Sequence, residues 1–213
     1  GMHELLLYPQ KTSGISYINL AFDLRGVSEE NIKALEFFTD FITKTNSSNK
    51  TFQELETMSD TYVGGMSFGV STYQSAKKPE QYRPTLTLSL RFINENQDKA
   101  MELIQELLTQ ARFEPVHRLK DLVEEVKNSM ISGISSRAPS LAMSAATQGF
   151  FPEQDAFANE SGGSAFENYV LKQNIDAKKL SIQLQNLRSQ IFTQNRLYLT
   201  TVTASNKDFS KMK

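Results

Sequence analysis

Residues 65–69, Gly65-Met66-Ser67-Phe68-Gly69, fit the G-x-S-x-G pattern of a serine nucleophile. That pattern works when a strand leads into the serine and a helix leads out of it, because the sharp turn exposes the hydroxyl. Here the order is reversed: a helical stretch precedes Ser67 and an alternating strand follows. Ser67 therefore reads as the polar face of a strand. Acid–base chemistry needs carboxylates at a shared site, and Glu29-Glu30, Glu54 with Glu56, and Glu124-Glu125 are the candidates. Neighbouring acids on a helix point in different directions, so only one of Glu124 and Glu125 can face a given site. Solvated helix surface is the ordinary place for such pairs. His117, near the start of a helix, reads as a surface or interface residue.

Composition narrows the chemistry further. The 213 residues contain no cysteine and two histidines, His3 and His117. Disulfides, cysteine-ligated zinc, iron–sulfur clusters, thiol nucleophiles and a multi-histidine metal site are thereby excluded. Twenty-three Lys and Arg stand against 24 Asp and Glu, a net charge of −1. That balance gives no electrostatic footing for nucleic acid or an anionic membrane as a partner. No phosphate-binding loop or dinucleotide fingerprint occurs. No apolar run approaches the roughly 18 residues of a membrane span, and with no targeting segment visible the expected location is cytoplasmic.

The elements that position these residues follow from periodicity. Leu5–Tyr8 reads as a short strand, and Ile18, Leu20, Phe22 and Leu24 alternate with polar or small residues over 15–24. Ser28-Glu29-Glu30 opens a helix with Ile32, Leu35, Phe38, Phe41 and Ile42 on one face, and residues 46–49 end it. Thr51-Phe52-Gln53-Glu54 has the form of a capping box for a second helix, closed by Gly64-Gly65. Strands are expected near 66–74, 85–92 and 196–203. From Gln97 helices dominate: one bearing Met101, Ile104 and Leu107; a long one after Pro115; an Ala/Met-rich one opened by Pro139 and ending near Gly149. Phe150–Gly163 reads as loop, and two more helices are expected at 164–173 and 177–193. Such strands, joined by helix pairs, predict one α+β domain over 1–213, a mostly antiparallel mixed sheet with helices on one face.

The order of features resembles the pitrilysin/insulinase superfamily of zinc peptidases, specifically its presequence-protease branch. The carrying segments are Thr12–Leu24, Leu35-Glu36-Phe37-Phe38, Thr51–Leu55, Gly64-Gly65-Met66-Ser67, Phe113–Glu125 and Ser161-Gly162-Gly163. The resemblance implies a mitochondrial-processing-peptidase-like metallohydrolase fold. It also implies a place as third of four homologous domains, the first of the C-terminal half, in a clamshell around a peptide chamber. In the catalytic domain of such an enzyme H-x-x-E-H holds zinc and activates water. At that place this chain has Lys33-Ala34-Leu35-Glu36-Phe37, so Lys33 and Phe37 replace both histidines and only Glu36 matches. The family's third ligand corresponds to Glu124 or Glu125. The expectation is a domain with no catalytic residue, no metal and no cofactor of its own, the zinc belonging to the parent's catalytic domain. Its partners would be the other domains of the same peptidase and, in the full enzyme, the peptide substrate. Met66, Ser67, Phe68, Gly69 and Val70 would form a strand whose edge faces the peptide; the plainer reading is an interior strand. A stand-alone, catalytically dead scaffold on the same fold is the alternative.

Overall fold

Alternation in the segment after Pro84 decides which side of the sheet is covered. Leu86, Leu88, Leu90 and Phe92 are buried, whereas Thr87 and Ser89 between them are half-buried and Arg91 is exposed. A strand turns successive side chains to opposite faces, so one face must meet a helical layer and the other need not. The computed structural model describes residues 4–75, 78–147 and 152–205. It contains strands β1 (Glu4–Pro9), β2 (Ile15–Asp23), β3 (Asn46–Ser47), β4 (Gly65–Ser75), β5 (Lys78–Ile93), β6 (Ala111–Glu114) and β7 (Leu197–Ala204). Five of them form a mixed sheet in the order β1-β7-β2-β5-β4, and β3 pairs with β6 apart from it. Only the β1–β7 pairing is parallel in that sheet. The chain is the α+β domain its periodicity predicts.

Register carries the two-faced character across the sheet. Met66, Leu90, Ile18 and Val202 lie in one row and pack toward the core. One residue on, Ser67, Ser89, Asn19 and Thr201 form the next row, on the opposite and polar face. There the Asn19 amide donates to Thr201 Oγ1 at 3.1 Å.

The helices are α1 (Glu29–Lys33), α2 (Leu35–Phe41), α3 (Phe52–Tyr62), α4 (Gln97–Gln110), α5 (Val116–Thr147), α6 (Pro152–Glu160), α7 (Ser164–Lys172) and α8 (Ala177–Ile191). Three differ from the sequence expectation. The helix after Ser28 is divided at Ala34, and the Ser28 side chain makes no capping hydrogen bond. Pro139 does not open a new helix, because α5 runs through it to Thr147. Its fixed φ is compatible with a helix although its ring removes one backbone donor. Most of the expected loop 150–163 is α6, with Pro152 at its first position and Glu153 and Asp155 in the first turn. Those are favourable start signals that a cluster of turn-forming residues conceals. Phe157 supplies its buried contact, and the Tyr82 hydroxyl donates to the Glu153 carbonyl at 3.1 Å, tying α6 to β5.

The capping box at α3 forms as expected: the Glu54 amide donates to Thr51 Oγ1 at 3.3 Å, and the Thr51 amide to Glu54 Oε2 at 2.7 Å. Thr51→Ala is expected to lower stability by about 1 kcal/mol. Ser28→Ala, which removes no capping bond, changes it by roughly half of that or less. Urea unfolding of the two variants beside the parent chain checks the contrast.

Candidate functional site

Three elements converge at the open edge of the sheet. β4 ends the strand order, so among the described residues its outer backbone groups have no strand partner. Beside it lies a cavity of about 700 Å³ walled by Glu36, Phe37, Thr39 and Asp40 of α2, Lys44 just beyond it, Phe68 of β4, and Phe166 of α7. The far wall is the face of α5 that carries Glu125, Val126, Ser129, Met130 and Gly133. Those α5 residues repeat at three and four, the spacing of one helical face.

Phe37 is fully buried and fixes the floor of the cavity. Its ring stacks on Phe41 at 5.2 Å and meets Phe166 edge-on at 5.2 Å. Lys33 turns away into ion pairs with Glu29 at 2.9 Å and Glu160 at 3.3 Å. Its hydrogen bonds to those two carboxylates raise its pKa. Glu36 stands at the cavity mouth, accessible to solvent. Crowding by the surrounding protein, with a smaller push from the Asp40 carboxylate, raises its pKa above the usual carboxylate range. Asp40 is itself engaged by Lys44 at 2.6 Å. The α6–α7 turn closes over the same carboxyl: a Cβ at Gly162 would stand 3.4 Å from Glu36 Oε2. Next to it Gly163 is held by a close approach, since a Cβ there would come within 2.7 Å of the Asn159 Cα.

The zinc implied by the family resemblance does not fit these residues. Phe37 is committed to an aromatic cluster and Lys33 to carboxylates, so neither offers a lone pair. Among the described residues no group of three or more His, Asp or Glu side chains is gathered closely enough to hold a metal. Of the sequence-predicted positions, the structure brings Glu36, Phe37, Phe68 and Glu125 to one cavity, while Lys33 and Glu124 lie outside its wall. Met66, Ser67, Phe68, Gly69 and Val70 lie on the edge strand, so the interior-strand reading is not what the strand order gives. Ser67 belongs to the polar sheet face and His117 to the exposed start of α5, away from this cavity. Sequence reasoning passed over Asp40, Lys44 and Gly162. The i,i+4 spacing of Asp40 and Lys44 was the available signal for the first two.

An α+β domain with this cavity beside a free strand, and with the metal-ligand positions filled by lysine and phenylalanine, belongs to the pitrilysin-type peptidases as a non-catalytic unit. The model of the family described as associated with peptidase family M16, subfamily C, matches residues 1–170, and the chain belongs to that family. Among curated relatives, Protein HypA of Clostridium perfringens is 22% identical over 191 residues, which cover 89% of this chain and 20% of that protein. The mitochondrial presequence protease of Drosophila melanogaster is 25% identical over 136 residues, 64% of this chain and 13% of that one. The chain thus spans a fifth or less of these relatives. Among solved structures, a conserved protein from Enterococcus faecalis superposes with a TM-score of 0.67 at 14% identity, covering 99% of this chain and 48% of that one. A peptidase M16 inactive domain from Pseudomonas fluorescens gives 0.60 at 14% identity, with 99% and 46% covered. These two likenesses concern the fold.

The raised Glu36 pKa has a definite sign for stability. The folded chain holds the Glu36 proton to higher pH than the unfolded chain does, so stability falls as pH rises from the ordinary carboxylate pKa through the raised one. Glu36→Gln removes this term. Thermal unfolding from pH 4 to 7 should show parent and variant alike at the acid end, with the variant the more stable at pH 7.

Proposed function

We propose that this chain is a non-catalytic domain of a zinc-dependent metalloendopeptidase of the pitrilysin/presequence-protease type. It forms part of the wall of the peptide-enclosing chamber, and peptides are degraded only with the parent's catalytic domain, which holds the zinc. The carrying observation is the cavity in which Glu36 and Glu125 remain beside β4 while phenylalanine fills a ligand position. In a catalytic relative the same arrangement of helix, second helix and edge strand would gather metal, base and peptide. Here the carboxylates persist, and water activation is lost with the ligands.

Peptide contact is assigned to the edge of β4, at Met66, Ser67, Phe68, Gly69 and Val70. Extended peptides add to an open sheet edge through backbone hydrogen bonds. Edge strands that must avoid such pairing are blunted by charge or proline. From Gly65 to Ser75 there is neither, whereas the opposite edge, β1, carries Glu4 and Pro9. The remaining partners are the other domains of the same peptidase. Nucleic acid and membrane have no part in this reading: the net charge is −1, and no described helix is long and apolar enough to cross a membrane. The proposed location is the cytoplasm.

Calorimetric titration of the 213-residue chain with zinc, and incubation with unstructured fluorogenic peptides, should show neither binding nor cleavage. Stoichiometric zinc, or peptide cleavage that Glu36→Ala abolishes, would make the chain an enzyme in its own right. The full-length gene product should carry H-x-x-E-H ahead of this region. A product without it overturns the peptidase reading and leaves a scaffold on the same fold.

A further inference from the structure

The edge of β4 is flanked by two cavities. Phe68 opens on the cavity already described. Met66, two residues earlier and on the same sheet face, opens on a second of about 280 Å³. The second is walled by Phe52 and Leu55 of α3, Leu103 and Leu107 of α4, and Arg118 of α5, whose guanidinium stacks over the Phe52 ring at 4.8 Å. Lys44 lies on the wall between the two and contributes to both. Two residues of a strand advance about 6.6–6.8 Å and return the side chain to the same face. A strand added alongside β4 would therefore present side chains two apart to these same two cavities.

Their linings differ in kind. The Met66 cavity has four apolar walls from Phe52, Leu55, Leu103 and Leu107, with Glu56 and Asp60 among its polar residues. In the Phe68 cavity Asp40 is neutralised by Lys44 at 2.6 Å. That leaves the Glu36 and Glu125 carboxylates, neither of which has an ion-pair partner among the described residues. Glu36 is already disfavoured as an anion by its surroundings, so a cation beside it restores what burial removes.

We propose that the paired cavities sort the side chains of a peptide strand docked on β4, a basic side chain entering the Phe68 cavity and an apolar one, two residues away, entering the Met66 cavity. The inference rests on the reading of β4 as a docking edge and adds the chemistry of the peptide. Backbone pairing gives affinity without regard to sequence, and pockets for alternate side chains supply the preference. The ammonium or guanidinium group meets Glu36 and Glu125, while its aliphatic stem lies along Phe68, Phe166 and Met130.

The test compares three capped heptapeptides, Thr-Leu-Thr-X-Thr-Leu-Thr, with lysine, norleucine or glutamate at X. Their central residue has an apolar neighbour two away in either chain direction, so strand polarity does not matter. Amide chemical shifts of the 213-residue chain follow the titration. The lysine peptide is expected to move the 66–72 amides and to bind about tenfold more tightly than the norleucine peptide. The glutamate peptide should be weakest. Glu36→Gln and Glu125→Gln should each bring lysine and norleucine together, whereas Glu124→Gln, outside the cavity wall, leaves the difference intact. Equal binding of all three peptides with shifts at 66–72 overturns the sorting and leaves edge docking standing. No shift at 66–72 with any peptide overturns the docking reading itself. A preference for lysine that survives both Gln variants, or that Glu124→Gln removes, also overturns the assignment.

Discussion

A chain of aromatic contacts beginning at two consecutive residues of α2 holds the site in place. Phe37 turns outward to Phe41, Phe166 and Tyr169, while Phe38 meets Phe113 at 5.2 Å and Phe192 at 5.6 Å. Phe192 in turn touches Phe22 of β2 at 5.0 Å and Phe68 of β4 at 6.4 Å. One short helix is thus coupled to α7, to β6 and to two strands of the sheet. Each such pair adds roughly 0.5–1.5 kcal/mol beyond the area it buries. Three members of the chain, Phe37, Phe68 and Phe166, are also walls of the cavity. Shape at the cavity and stability of the domain are therefore set by the same rings.

That coupling explains how a metal-ligand position can be refilled without collapse. A histidine at position 37 would have to direct a ring nitrogen into the cavity and have its other nitrogen hydrogen-bonded. Phenylalanine asks for neither and gains full burial instead. Lys33 has made the opposite exchange, leaving the cavity for two carboxylates, one of which belongs to α6. Both replacements join elements that a bound ion would otherwise bridge. The core gains by them, and the carboxylates between them, Glu36 and Glu125, have no comparable packing role.

Strong periodicity made most of this fold legible from sequence. The strands at 15–23 and 85–93 and the capping box at Thr51 rest on local patterns that tertiary contacts then reinforce. What escaped were features in which a local signal competes with a distant one. Pro139 and the Pro, Asp and Asn residues of 152–160 carry turn signals, yet they lie in helices. For α6, the Phe157 contact and the Tyr82 hydrogen bond favour the helix. The break at Ala34 was hidden for the converse reason, since Ile32, Leu35 and Phe38 keep helical spacing across it. Within the site, Glu36 and Phe37 were legible through spacing against a known motif. The choice of Glu125 over Glu124 required the orientation of α5, which no local pattern encodes.

Binding and catalysis draw on different parts of this site, and that separates what the chain has lost from what it keeps. Metal chemistry depends on a few side chains converging to within tenths of an ångström, so substitution at two positions ends it. Strand addition depends on main-chain groups, which every residue supplies, and on the edge being left open. Gly65, Ser67, Gly69 and Ser71 put small side chains on the polar face of β4, while Met66, Phe68 and Val70 anchor the other face to the core. Such a strand is fixed from within and unobstructed from without. An open edge of this kind is a hazard for a solitary domain, because any extended chain can pair with it. Enclosure within a larger peptidase turns the same hazard into a selective surface, since only what enters the chamber reaches the edge.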